Sequence, residues 1–133
     1  MEKQLKYKVL SFQNAVHNLQ ESLELNLDHY DKVAVDSIKS GQIQKFEFSV
    51  ELLWKTLKFY LREQYGEDVK TPKTVIKKTL ELEIIDYTVY EKAIDMINWR
   101  NELSHVYSQD HFEELRIKIL DCKYIWEVFL NIF

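Results

Sequence analysis

Only Gly41, Gly66 and Pro72 supply glycine or proline across 133 residues, so material for tight turns is nearly absent. An all-β fold needs many hairpins, whose turns draw on those two residues. Long helices are the alternative, and the apolar pattern agrees with them. Leu5, Val9, Phe12, Val16, Leu19 and Leu23 recur at steps of three or four residues, which draws one stripe along a helix over about residues 2–25. With 46% apolar and 14% aromatic residues, a single domain over 1–133 can fill a core without disulfides.

The remaining segments read the same way. Asn26 to Asp31 is polar and turn-like, Val33 to Ser40 suits a short helix, and Gly41 marks a bend before the next run. That run carries Ile43, Phe46, Val50, Leu53, Leu57 and Leu61 on one face and Phe48, Leu52 and Phe59 on another. A helix apolar on two faces is expected to be deeply buried. Glu47, Glu51 and Lys55 follow each other at four-residue spacing, which suits either solvent-facing pairing or the orientation of a site. Thr71-Pro72 is an N-cap followed by proline at the first helical position, opening a shorter helix through Val75, Ile76 and Leu80. A fourth main segment runs from Tyr87 to Val106. Asp110 with Glu113 then reads as a capping box for a last helix with Phe112, Leu115, Ile119, Cys122, Trp126 and Phe133 on its core face. The fold class is all-α: an up-and-down four-helix bundle with an extra short helix.

Charge narrows the function. Eighteen Lys and Arg stand against 22 Asp and Glu, a net charge of -4, which argues against a broad basic surface for nucleic acid; any RNA contact has to be local. Only Arg62, Arg100 and Arg116 are arginines, so Arg100 stands out against a lysine background and points to bidentate or stacked contact. Cys122 falls at a core-compatible position, where an inert buried thiol is expected. His17, His29 and His111 lack acidic or cysteine partners at ligand spacing, so no metal and no cofactor are expected. No basic-then-apolar leader is visible, and no apolar run approaches the roughly 20 residues that span a bilayer. The expectation is a cytoplasmic protein without a membrane partner.

The segment Tyr87 to Val106 carries the best pointer to chemistry. Tyr90, Ala93, Ile94 and Ile97 form one stripe, and Met96, Trp99, Leu103 and Val106 form another nearly opposite. Burial from two directions suggests a second copy of the chain on one side, hence a homodimer. Continuing the first stripe reaches Asn101 and then Ser104 or His105, where polar groups stand in place of apolar ones. Such groups either satisfy one another or line a cleft. On a regular helix Arg100 and Tyr107 nearly superimpose, whereas His105 lies about 140° from Arg100, so one chain does not close the site alone. Arginine stays cationic, histidine exchanges protons near neutrality and tyrosine offers a modifiable hydroxyl, a set suited to phosphate chemistry.

Arg100-x4-His105-x-Tyr107, with Asn101 directly after the arginine, resembles the motif of the HEPN superfamily of helical, nucleotide-associated proteins. Residues 43–58, from Ile43 to Lys58, resemble the second helix of its nucleotidyltransferase substrate-binding branch, and Thr71-Pro72 and the final helix fall where that branch has its third and last helices. The resemblance implies a dimeric bundle encoded beside a minimal nucleotidyltransferase, in pairs that work as toxin and antitoxin. It implies a metal-independent endoribonuclease in which His105 moves protons and Arg100 stabilises transition-state charge. Tyr107 would be the hydroxyl adenylylated by the partner. Independently of the resemblance, Asn101 and Ser104 on the interrupted stripe and Glu47 and Glu51 at their four-residue spacing are the candidate supporting residues. The alternative is a non-catalytic subunit that binds nucleotide or substrate for the nucleotidyltransferase.

Overall fold

A computed structural model describes residues 3–106 and 108–133. Six helices follow one another: α1 (Lys3–Leu23), α2 (Lys32–Tyr65), α3 (Pro72–Glu81), α4 (Tyr87–Leu103), α5 (Gln109–Ile119) and α6 (Lys123–Leu130), with a single 3-10 turn at Leu27–His29. There is no strand among the described residues. The all-α bundle expected from the sequence is present, and α3 is the extra short helix. None of the helices is long and apolar enough to cross a membrane.

The stripe Leu5, Val9, Phe12, Val16 and Leu19 is the buried face of α1, which packs along α2 more extensively than any other pair of helices. On α2 its counterpart is Phe46, Val50, Leu53, Leu57 and Leu61. Trp126 of α6 closes this core from the other side, with its ring 6.2 Å from Phe12 and 6.3 Å from Phe46 in tilted and edge-on geometry. Thr71 caps α3 as its spacing predicts, its hydroxyl accepting from the Thr74 N–H.

The structure corrects several sequence expectations. Gly41 does not bend the chain: α2 is one helix of 34 residues, about 51 Å long. Asp31 starts it by accepting the Ala34 N–H at 2.9 Å, and Gly66 ends it in the left-handed conformation at φ 67°. Glycine inside a helix costs only about 1 kcal/mol, and burial of Ile43 just beyond it outweighs that. Nor is α2 buried on two faces, since Phe48 is 59% exposed and Leu52 and Phe59 are half-buried.

The last helix is divided. Leu120, Asp121 and Cys122 separate α5 from α6, which lets Cys122 turn inward while Leu120 and Asp121 face water. The cap of α5 is Ser108, whose hydroxyl accepts the His111 N–H at 3.1 Å, and Asp110 lies within the first turn instead. Finally, α4 stops at Leu103, three residues short of Val106. Each of its apolar stripes is buried within one chain over half of its members, Ala93 and Ile97 on one side and Met96 and Trp99 on the other, while Tyr90, Ile94, Leu103 and Val106 are half-buried.

Candidate functional site

Arg100 lies in the last turn of α4, where the negative end of the helix dipole favours a cation. Its Nη2 is 3.1 Å from Glu51 Oε2 on α2. The same oxygen accepts a hydrogen bond from Trp54 Nε1 at 3.2 Å, and the other carboxylate oxygen is 3.0 Å from Lys55 Nζ. One carboxylate thus gathers an arginine, a lysine and an indole N–H. The two readings of the Glu47/Glu51/Lys55 spacing merge here: Glu51 pairs with Lys55 along α2 and also holds Arg100 across to α4.

Electrostatics follow this geometry. Burial pushes the Glu51 carboxyl up, but hydrogen bonds from Lys55 and Trp54 and the charges of Arg100 and Lys55 outweigh it, and the net shift is downward. At Glu47, one turn earlier, burial dominates and the nearby Arg100 charge only partly offsets it, so that carboxyl sits above its ordinary value. Arg100 Nε is buried and has no hydrogen-bond partner among the described residues. An unpaired buried donor is costly, about 1 to 3 kcal/mol, and a ligand oxygen reaching it would recover part of that.

The rest of the motif lies elsewhere. Beyond Leu103 the chain leaves the helix: the Ser104 N–H donates to the Asn101 carbonyl at 3.3 Å and the His105 N–H to the Glu102 carbonyl at 2.8 Å. Asn101, Ser104 and His105 are exposed, so the buried polar network considered for them does not form within the chain. The 140° relation between Arg100 and His105 does not apply, because His105 is in a turn. Tyr107 lies outside the described residues. Across this turn His111 of α5 reaches Glu102 of α4 at 3.8 Å, and its other ring nitrogen is equally far from Glu114.

A second polar cluster escaped the sequence reading. Arg116 is only 8% exposed; its Nε and Nη2 donate to both carboxylate oxygens of Glu113 at 2.8 to 3.2 Å, and its Nη1 donates to Gln42 Oε1 at 3.0 Å. Gln42 Nε2 in turn donates to the Ser22 carbonyl at 2.9 Å. This chain of bonds ties α5 to α2 and to the end of α1. The scarcity of arginine that singled out Arg100 applied equally to Arg116, and a glutamine in an apolar stripe was the other available signal. Among the described residues no cluster of three or more His, Cys, Asp or Glu could hold a metal ion.

The sequence model of the family described as nucleotidyltransferase substrate binding protein like matches residues 7–128. A crystal structure of a protein from Thermus thermophilus is similar in fold, with a TM-score of 0.78 and 26% identity over 90% of this chain and 96% of that one. A comparison with curated proteins gives no match.

Proposed function

Given that the chain belongs to the nucleotidyltransferase substrate binding protein-like family, we propose that it is the non-catalytic binding subunit of a nucleotidyltransferase encoded nearby. It would act as a cytoplasmic homodimer that presents the end of α4 and the following turn to its partner. The observation that carries this reading is the state of Arg100: one of its terminal nitrogens is held by Glu51, which Trp54 and Lys55 hold in turn. A guanidinium so engaged suits orientation of a bound group better than charge stabilisation in a transition state, while Asn101, Ser104 and His105 stand exposed for contact. Tyr107 is the proposed acceptor of a nucleotidyl group. Incubating the chain with the partner enzyme and ATP, then measuring its mass, tests this: addition of AMP to the chain but not to Tyr107→Phe is expected, and equal addition to both contradicts it.

A second reading, the toxin of a toxin-antitoxin pair, is favoured by one observation: the complete Arg100/His105/Tyr107 set together with a buried, unpartnered Arg100 Nε. On that reading His105 exchanges protons with the 2′-hydroxyl and the leaving 5′-oxygen, Arg100 contacts the scissile phosphate, and adenylylation of Tyr107 silences the enzyme. RNA cleavage in EDTA that disappears in His105→Ala would establish it. Intact RNA with both proteins leaves the binding subunit.

A further inference from the structure

The second apolar strip of α2 is left open at Phe48, which is 59% exposed, and Tyr7 of α1 is 71% exposed. Both belong to one seam, because α1 and α2 pack along each other. Tyr7 and Ser11 line a hollow there with Leu52 and Thr56, while Asn14 and Ala15 line a second with Gln44 and Phe48. The two hollows are centred about eight residues apart on each helix, a distance of about 12 Å. Two turns of a helix cover about 11 Å, so apolar side chains two turns apart on a third helix match both hollows.

Charge selects the occupant. Among the described residues, those lining the two hollows include Lys8, Lys45 and Lys55 but no Asp or Glu. Lys55 is engaged by Glu51 at 3.0 Å, whereas neither Lys8 nor Lys45 is in an ion pair among the described residues. Of the nearest carboxylates, Glu51 faces Arg100 of α4, and Glu21 near the end of α1 is 2.7 Å from His17. A second copy of this face laid on the first would set lysine against lysine, and like charges across an interface cost affinity.

We propose that this seam docks an amphipathic helix of a different protein, with leucine- or phenylalanine-sized side chains in the two hollows and carboxylates on its flanks against Lys8 and Lys45. Covering Phe48 and Tyr7 removes apolar surface from water and supplies affinity, while the lysines decide which helices are accepted. Asn14, Asn18 and Gln44 offer amide donors and acceptors to the polar rim of such an interface. A nucleic acid strand would meet the same lysines, but the net charge of -4 opposes a long polyanion on this chain. Among the described residues none of α4, or of the turn after it, lines the seam, so this docking is independent of either reading of Arg100.

Fluorescence anisotropy with two labelled synthetic helices tests it. Both carry leucines at three- and four-residue steps along one face; one has glutamates on its flanks and the other lysines. Saturable binding of the glutamate helix is expected, roughly tenfold or more tighter than that of the lysine helix. Phe48→Ser, which removes the central anchor, weakens the glutamate helix roughly tenfold or more, and Lys8→Ala combined with Lys45→Ala narrows the gap between the two helices. Tyr124→Ser, which removes an exposed aromatic from α6 instead, leaves binding unchanged. Circular dichroism verifies that each variant stays helical. Equal binding of the two helices, undiminished binding by Phe48→Ser, or no binding of the glutamate helix at millimolar concentration overturns the proposal. A parent chain that sediments as a dimer and a Phe48→Ser variant that sediments as a monomer overturn it in favour of a second copy on this face. Displacement of the glutamate helix by an equal concentration of a single-stranded RNA decamer overturns it in favour of a polynucleotide track.

Discussion

Arg100 of α4 and Glu51 of α2 stand 3.1 Å apart, joining the end of the motif-bearing helix to the middle of the longest one. Both side chains are about one-third exposed, so water screens the pair and its worth is modest. A double-mutant cycle with Arg100→Ala and Glu51→Ala is expected to give a coupling of about 0.5 to 1 kcal/mol in urea unfolding. A coupling indistinguishable from zero would mean that the contact positions nothing.

Arg116 is the more consequential arginine for stability. Arg116→Ala leaves buried Gln42 without its donor and strips Glu113 of a two-pronged partner; because Glu113 can recover water, the expected loss is about 2 to 3 kcal/mol. Urea midpoints at constant slope measure it.

The same contact sets a pH dependence. Hydrogen bonds from Arg116, opposed by a smaller desolvation, hold the Glu113 carboxyl below its ordinary 4.5, with further help from the charges of Arg116 and Lys39. A carboxyl lowered by folding contributes stability that is present above 4.5 and is lost as pH falls through its folded value. Glu47 has the opposite sign: raised mainly by burial, it contributes stability below 4.5 that is lost as pH rises through its folded value. Stability measured from pH 7 down to 3 should therefore fall less steeply for Glu113→Gln than for the parent chain. It should fall more steeply for Glu47→Gln.

How much of this was legible in the sequence depends on what each feature rests on. The stripe from Leu5 to Leu19 was readable because periodicity alone places it, and the Thr71-Pro72 start because capping chemistry is local. Gly41 misled because a local preference of about 1 kcal/mol gives way to burial of its neighbours. The two stripes of α4 are buried at Ala93, Ile97, Met96 and Trp99, all covered by the same chain, and half-buried at Tyr90, Ile94, Leu103 and Val106, because periodicity places a face but not how far its neighbours reach over it. Glu51 was visible only as one member of a charged spacing. Its bond to Arg100 joins residues 49 positions apart, a relation no local pattern carries. Phe48 read as core with half-buried Leu52 and Phe59 because apolar identity does not distinguish a covered position from an open one.

The two glycines make opposite predictions. Gly41 has ordinary helical geometry and open space around a built Cβ, so Gly41→Ala should raise stability by about 0.5 to 1 kcal/mol. Gly66, at φ 67°, caps α2 in a conformation that a side chain disfavours, and Gly66→Ala should lower stability by about 1 kcal/mol. Thermal unfolding of the two variants side by side separates them.

Burial raises the Cys122 thiol to about 11, and its S–H donates to the Lys118 carbonyl at 3.6 Å. Few thiolates form at pH 8, so iodoacetamide should leave Cys122 unmodified in the folded chain and alkylate it in denaturant, as read by mass spectrometry. Rapid alkylation of the folded chain would place the thiol in contact with water.

The binding-subunit proposal requires a stable complex between this chain and a nucleotidyltransferase. Titrating the chain calorimetrically into the proposed nucleotidyltransferase partner tests that most directly. A saturable complex of micromolar affinity or tighter, about 8 kcal/mol or more of binding free energy, is the predicted result. Absence of heat at concentrations of tens of micromolar, with the two proteins eluting separately from a sizing column, would contradict it.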